Sequence, residues 1–421
     1  MDIEDRRGFI KKSLLGASVF SIVPRHVLGG INHIAPSDIL TKAVIGVGGM
    51  GQAHLSYENT KLVAICDVDR NHLLKTYDSL GDSSIKTYEY YTEVLERKDV
   101  DIIHIATPPH WHGKIAYDSM LAGKDVWCEK PMTRTIGEGR KVVEAAKATG
   151  RMFRLNTWFR FSDIFYGFGT SVAPIKKIVD NKLLGWPLTV TLGGGTGFNW
   201  KFYWKGKTNL PQQPIPEGLN YKEWLGPAPY KPYHQHRVHG TFRGYWDYDG
   251  GGLGDMGQHY LDPVQYILGK DNESPVSINV DAPIQHHDAA GEWKRIEFIY
   301  KDGCKIILDG ENKDVNSPFI KGPEGSLYPG LKSDIKNLNS KLKTLPDHYQ
   351  GPTTFTESVT KREPFALNEV NGHQSCTLVN LGIIAVRLGR NLEYDGEKEE
   401  FINDSVANFF INQPMRENYN F

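Results

Sequence analysis

Gly46-Val47-Gly48-Gly49-Met50-Gly51 is the stretch on which the fold turns. It follows Thr41 to Ile45, a short run rich in β-branched residues, and opens a helical stretch from Met50 to Glu58, so the order is strand, turn, helix. Gly46 suits the tight turn, Gly48 lets the backbone approach a pyrophosphate, with Gly49 and Met50 beside it, and Gly51 lets helix and strand pack closely. The helix N-terminus then faces the anion. Alone this glycine pattern is weak, but Leu62-Val63-Ala64-Ile65-Cys66 reads as a second strand. It delivers Asp67 twenty-one positions after Gly46, where a carboxylate can bind both ribose hydroxyls of an adenosine. The reading is a Rossmann domain.

A negative charge at the ribose repels a 2′-phosphate, so NAD is favoured over NADP, although Arg70 lies near. A further unit follows: Val100 to Ala106 is a buried-type strand, ending in Thr107-Pro108-Pro109-His110-Trp111-His112 and a helix through Ala122. Ligands of open α/β sheets sit beyond the carboxyl ends of strands, which puts Thr107, Pro108 and His112 at the cofactor crevice. His110 and His112 each have a structural reading as well.

The next strand, Asp125 to Cys128, ends in Glu129-Lys130-Pro131. Glycine-rich start, acidic end of the second strand, Thr-Pro turn with its histidine, then Glu-Lys-Pro: this chain resembles the Gfo/Idh/MocA family of oxidoreductases from about residue 42 to the end, most densely over 44–160. The resemblance implies that Glu129 and Lys130 lie at the cofactor, with Lys130 beside the nicotinamide and the reacting hydroxyl, and that Pro131 follows a cis bond. A lysine there can hydrogen-bond the hydroxyl and stabilise the alkoxide character that grows as hydride leaves. Met152 to Asn156 is the last Rossmann strand. Family members carry an Asn or Gln and an Arg just beyond it, which makes Trp158 and Arg160 substrate candidates; an inter-domain salt bridge is the other reading of Arg160.

In the second half, Pro187 to Leu192, Val276 to Val280, Arg295 to Tyr300 and Lys305 to Leu308 are strand candidates. They fit the open, mostly antiparallel sheet that the family packs on its Rossmann domain, an α/β fold whose second domain is α+β. The expected division is 40–160 Rossmann, 161–370 substrate and oligomerisation, and 371–421 a helix and tail that return to the first domain. Residues 310–350 show little periodicity and read as an extended excursion. Gly250-Gly251-Gly252 opens a segment in which Asp255 and His259, four apart, share one face if it is helical. The family's second signature has this spacing, so the resemblance makes His259 the general acid or base and Asp255 its partner. Asp262, three residues on, reads as a brace.

Residues 198–248 are more aromatic than the 11% chain average. The rings, Tyr245 and Trp246 among them, read either as a carbohydrate platform or as packing beneath a long loop or subunit contact. His234, His236 and His239 lack a neighbouring carboxylate pair, so no metal is assigned.

The whole chain has 421 residues, the prior for two domains, with 49 Lys+Arg against 50 Asp+Glu, which leaves no global field for nucleic acid or an anionic membrane. A small, roughly neutral partner is expected, in a homodimer or homotetramer formed through the open sheet. Cys66, Cys128, Cys304 and Cys376 are scattered and read as buried thiols. Arg6-Arg7-Gly8-Phe9-Ile10-Lys11 and the apolar run Leu14 to Val23 form a twin-arginine pattern over 1–35, which predicts export to the periplasm by the Tat route, or a cytoplasmic protein if the signal is silent. No later segment reaches the ~18 apolar residues of a transmembrane helix.

Export of a folded protein into a space poor in free NAD favours a cofactor that is never released. Two mechanisms satisfy this: oxidation of one sugar hydroxyl, at C3, with the hydride passed to a second sugar, or glycoside hydrolysis by transient oxidation, elimination, hydration and re-reduction. A non-enzymatic cofactor-binding scaffold is the third reading; the retention of Lys130, Asp255 and His259 argues against it.

Overall fold

Six parallel strands carry the first half: β1 (Thr41–Ile45), β2 (Lys61–Cys66), β3 (Lys86–Tyr88), β4 (Ile102–Ile105), β5 (Asp125–Glu129) and β6 (Phe153–Asn156). Their order is β3-β2-β1-β4-β5-β6 in this computed structural model, which describes residues 39–58, 60–157, 160, 168–349 and 351–421. The twin-arginine segment and Trp158 lie outside the described residues. Strands β1, β4 and β5 are covered on both faces, which is why apolar and polar residues do not alternate along them. The order reverses between β1 and β4, and the glycine turn and the Thr107 turn leave from the carboxyl ends of these two strands, where such a sheet takes its ligand.

Helix α1 (Gly51–His54) is shorter than expected; Glu58, with φ of 54°, is left-handed and lies outside any helix. Helices α2 (Arg70–Leu80), α3 (Pro109–Leu121) and α4 (Ile136–Thr149) complete this half.

The second sheet has nine strands: β7 (Thr189–Gly193), β8 (Ser277–Asp281), β9 (Arg295–Ile299), β10 (Lys305–Asp309), β11 (Ile320–Lys321), β12 (Ser326–Tyr328), β13 (Lys332–Ser333), β14 (Leu392–Asp395) and β15 (Glu400–Phe401). They run in the order β13-β12-β11-β7-β10-β9-β8-β14-β15, every pair antiparallel except β7 with β10. The reading of 310–350 as an excursion is corrected: β11, β12 and β13 extend the sheet edge, and their two or three residues each are too few to show a period.

Between the sheets lies α5 (Gly251–Ile267), all of whose residues are buried. It packs on α6 (Glu369–Leu388), which in turn packs on α4. Inside this contact Gln258 accepts from the Met132 amide at 2.8 Å and donates to the Gly372 carbonyl at 2.8 Å and Ser375 Oγ at 3.0 Å, fixing α5 against the turn after β5. No helix among the described residues is long and apolar enough to cross a membrane.

Candidate active site

A cleft of about 430 Å³ runs from the glycine turn and Asp67 to Lys130 and Asp255. Gly46 has φ of 84°, and a Cβ on Gly51 would lie 1.9 Å from the Gly46 carbonyl oxygen, so close packing of turn on helix needs glycine at both. A Cβ on Gly49 meets nothing within 4 Å: that side faces the open cleft. Asp67 clamps the turn, its Oδ2 accepting from the Val47 amide at 2.9 Å and its Oδ1 from the Asp69 amide at 2.8 Å. Burial pushes the Asp67 carboxyl up, against these two bonds and the His72 charge. Thr107 Oγ1 is buried with no hydrogen-bond partner among the described residues. The open cradle, the acid at the end of β2 and the orphaned hydroxyl fit a dinucleotide, with Gly46, Gly48, Gly49, Met50, Asp67, Thr107 and Pro108 in its wall.

His112 is placed otherwise than expected. Its two ring nitrogens face the carbonyl oxygens of Thr107 and Pro131, each at 2.7 Å, and it does not line the cleft; it ties together two turns that do. His110 Nε2 donates to the Trp224 carbonyl at 2.9 Å, and burial pushes its pKa down to about 3. That bond belongs to a wider clamp. The Arg70 amide donates to the Gly218 carbonyl at 2.8 Å and the Asn220 amide to the Val68 carbonyl at 2.9 Å, so residues 217–224 of the second half are pinned to the rim of the cofactor end.

At the other end the Lys130–Pro131 bond is cis, and Lys130 Nζ donates to the Asp255 carbonyl at 2.5 Å and to its Oδ1 at 3.0 Å. Lys201 and Arg243 also donate to the Asp255 carboxylate, each at 2.9 Å. Burial alone would raise Asp255, but Lys130, Arg243 and Lys201 hold it well below the usual carboxylate range. Glu129 lies beneath. Burial would raise it too, yet His54 Nε2 at 2.9 Å and Asn156 Nδ2 at 2.6 Å, with the charges of His54 and Lys130, hold it at about 2. Glu129 thus anchors Lys130 to α1 and β6.

His259 lies one turn beyond Asp255, 7% exposed and outside the cleft wall. Burial and the Lys130 charge push its pKa down to about 3, so the ring is neutral at neutral pH. Asp249, which the sequence reading passed over, does line the cleft, and burial with the Asp255 charge pushes it up to about 7. Its only signal in sequence is an acid set directly before the triple glycine.

Arg160 is corrected from a substrate candidate to the inter-domain salt bridge. Its guanidinium is 2% exposed and grips Asp262 at 2.7 and 3.0 Å and Asp271 at 2.6 and 2.8 Å. Asp262 is therefore the brace it was read as. Tyr245 and Trp246 are also buried away from the cleft: the Tyr245 hydroxyl meets His236 Nδ1 at 2.7 Å, and Trp246 Nε1 donates to the His286 carbonyl at 2.9 Å. Packing is their role. Among the described residues Asp69, His72 and His239 place their ligand atoms within 4.8 Å of one another at the cofactor end, with one acid rather than a carboxylate pair.

A parallel sheet of this order, a dinucleotide cradle and a lysine at its far end define an NAD-binding oxidoreductase fold. Two family models match, the oxidoreductase family's NAD-binding Rossmann fold over 40–157 and its C-terminal alpha/beta domain over 168–421, and the chain belongs to that Gfo/Idh/MocA family. NAD is its cofactor. Curated relatives include the glycosyl hydrolase family 109 protein 2 of Shewanella sp. (strain ANA-3), 31% identical over 174 residues, 35% of this chain and 38% of the relative. Another is the alpha-N-acetylgalactosaminidase of Shewanella oneidensis, 33% identical over 149 residues, 32% of each chain. The chain thus spans about a third of these relatives' length. Among solved structures, the WlbA dehydrogenase from Bordetella pertussis, in complex with NADH and UDP-GlcNAcA, has TM-score 0.57 at 17% identity over 85% of this chain and 99% of its own, a likeness of fold.

Proposed function

We propose that this protein oxidises a secondary hydroxyl, at C3, of a sugar, glycoside or polyol, and keeps its NAD bound between half-reactions. The observation that carries the reading is Lys130 Nζ, held by Asp255 at the end of the cofactor cleft. Bound NAD supplies the hydride acceptor. Lys130 hydrogen-bonds the hydroxyl and stabilises the developing alkoxide, and the Asp255 carboxylate holds that lysine in place. His259, neutral before the step, takes up the hydroxyl proton as hydride leaves. The clamp of residues 217–224 over the cofactor end supports retention of the nucleotide. A fold relative solved in complex with NADH and UDP-GlcNAcA supports the substrate class.

The second reading, redox-cycled glycoside hydrolysis, is favoured by the names of the curated relatives. One experiment separates them: the protein is incubated with glycosides, without added NAD, and absorbance near 340 nm and sugar release are followed together. Absorbance without cleavage supports oxidation, and cleavage without net absorbance supports the hydrolytic cycle. If neither occurs with NAD bound, both fail. Tat export and assembly through the open sheet complete the proposal. Periplasmic fractionation of the full chain and its molar mass by light scattering test these; a cytoplasmic monomer contradicts both.

A further inference from the structure

Asp249 lies two residues before α5, and the proposed oxidation does not use it. It lines the cleft with Lys130 and Asp255, and it also lines an inner cavity of about 20 Å³. Among the described residues only Pro109 and Pro131 share both walls with it, so Asp249 is the one ionisable group there between them. The inner cavity is large enough for one water and has Thr133, Arg134 and Asn380 in its wall.

Asp249 is 7% exposed, yet its only hydrogen bond among the described residues is from the Gly250 amide to Oδ1 at 2.7 Å. Oδ2 accepts none from any described residue. The space is made deliberately tight, since a Cβ on Gly254 would lie 1.9 Å from Oδ1. Buried carboxylates with structural roles are paired, as Asp255 and Asp262 are here. Asp249 instead faces Lys130 from the turn after β5, Arg243 from the loop before it and Asp255 from α5, with Arg134 in the wall of the inner cavity, and bonds to none of them.

We propose that Asp249 is a second proton-transfer group of this site, which takes up through Oδ2 the proton on the carbon next to the ketone that oxidation creates. The inference rests on the cleft being a sugar site. The C2–H bond breaks, the proton passes to Oδ2, and the electron pair moves into the C3 carbonyl as an enolate, whose oxygen Lys130 stabilises. In a glycoside the pair then forms the C1–C2 double bond as the C1–O bond breaks, the departing oxygen leaving with a proton from water. The hydroxide left by that water adds to C1 and the proton returns from Oδ2 to C2, which resets the group. Burial and the Asp255 charge set its pKa at about 7, so acid and carboxylate forms are both populated at neutral pH.

The test supplies the ketone directly. The NAD⁺-loaded protein is given synthetic methyl 3-ketoglucoside or 3-ketogalactoside in D₂O, and loss of the C2 proton is followed by NMR. The wild type is expected to exchange faster than buffer, with a rate that rises with pH through about 7. Asp249→Asn and Asp249→Ser are expected to slow exchange by about 100-fold or more while NAD affinity and melting temperature hold. No exchange above buffer, a rate flat across that pH range, or variants as fast as wild type would each overturn the proposal. Failure of the oxidation reading shows elsewhere, as parent glycosides that leave bound NAD unreduced.

Discussion

At the cofactor end of the cleft, residues close in sequence make the wall: the glycine turn at 46–51 and Asp67, which accepts from Val47 twenty positions away. At the lysine end, Lys130 meets Asp255 across 125 positions, and Lys201, Arg243 and Asp249 gather around them. At the first end, the glycine turn and its acid are one local motif whose steric needs dictate its residues, with 217–224 added at the rim. The second is assembled by tertiary packing, so its electrostatics belong to no single segment. Two aspartates six positions apart show the consequence, Asp255 held ionised by three cations and Asp249 raised to about 7 by burial and by Asp255 itself.

The assembled end should be the more sensitive in chemistry. Lys130→Ala is expected to slow hydride transfer by about 10³-fold while NAD affinity stays within about threefold, read by bound-cofactor absorbance and by equilibrium dialysis. Equal losses in both would erase the distinction between the two ends. Arg160→Ala, which strands Asp262 and Asp271 behind the cleft, should cost about 3–5 kcal/mol in chemical denaturation with no change in NAD affinity. A small cost would mean that the pair is not what holds the halves in register.

Asp67→Ala addresses the local end. It removes a charged acceptor for the ribose and should weaken NAD by about 1.5–3 kcal/mol and narrow the preference over NADP, both by calorimetry, with the rate of hydride transfer in the saturated protein little changed. The smallest effect is in pH. His110 and His259 are held at about 3, below their unfolded value near 6.5, so the unfolded chain takes up protons first as pH falls. Their contribution is complete above about pH 6.5 and is lost below it, by about 1 kcal/mol for each ring over the first unit. A melting temperature that is flat from pH 7 to 5 would show that these rings are not buried and neutral.

The Rossmann half was legible because each of its requirements leaves a local trace: β-branched runs for covered strands, glycines where a Cβ collides, an acid at the end of β2. Lys130 and Asp255 were legible through a family signature, and the structure joins them directly. What stayed hidden depends on distant partners. Arg160 reads as a substrate group until Asp262 and Asp271 close around it, and Trp246 as a sugar platform until its indole is found against His286. His239 gains its acid from Asp69, 170 residues earlier, and β11 to β13 are strands only because β7 offers them an edge.

The central claim is that this protein, which keeps its NAD, oxidises a sugar hydroxyl with the help of Lys130. It is tested most directly by mixing the purified, NAD-loaded protein with a panel of methyl glycosides, with no free cofactor, and recording absorbance near 340 nm in single turnover for wild type and Lys130→Ala. A rise of up to one equivalent per bound NAD in the wild type, absent in the variant, is the predicted result. No transient with any glycoside, or a transient that survives the loss of Lys130, would contradict it.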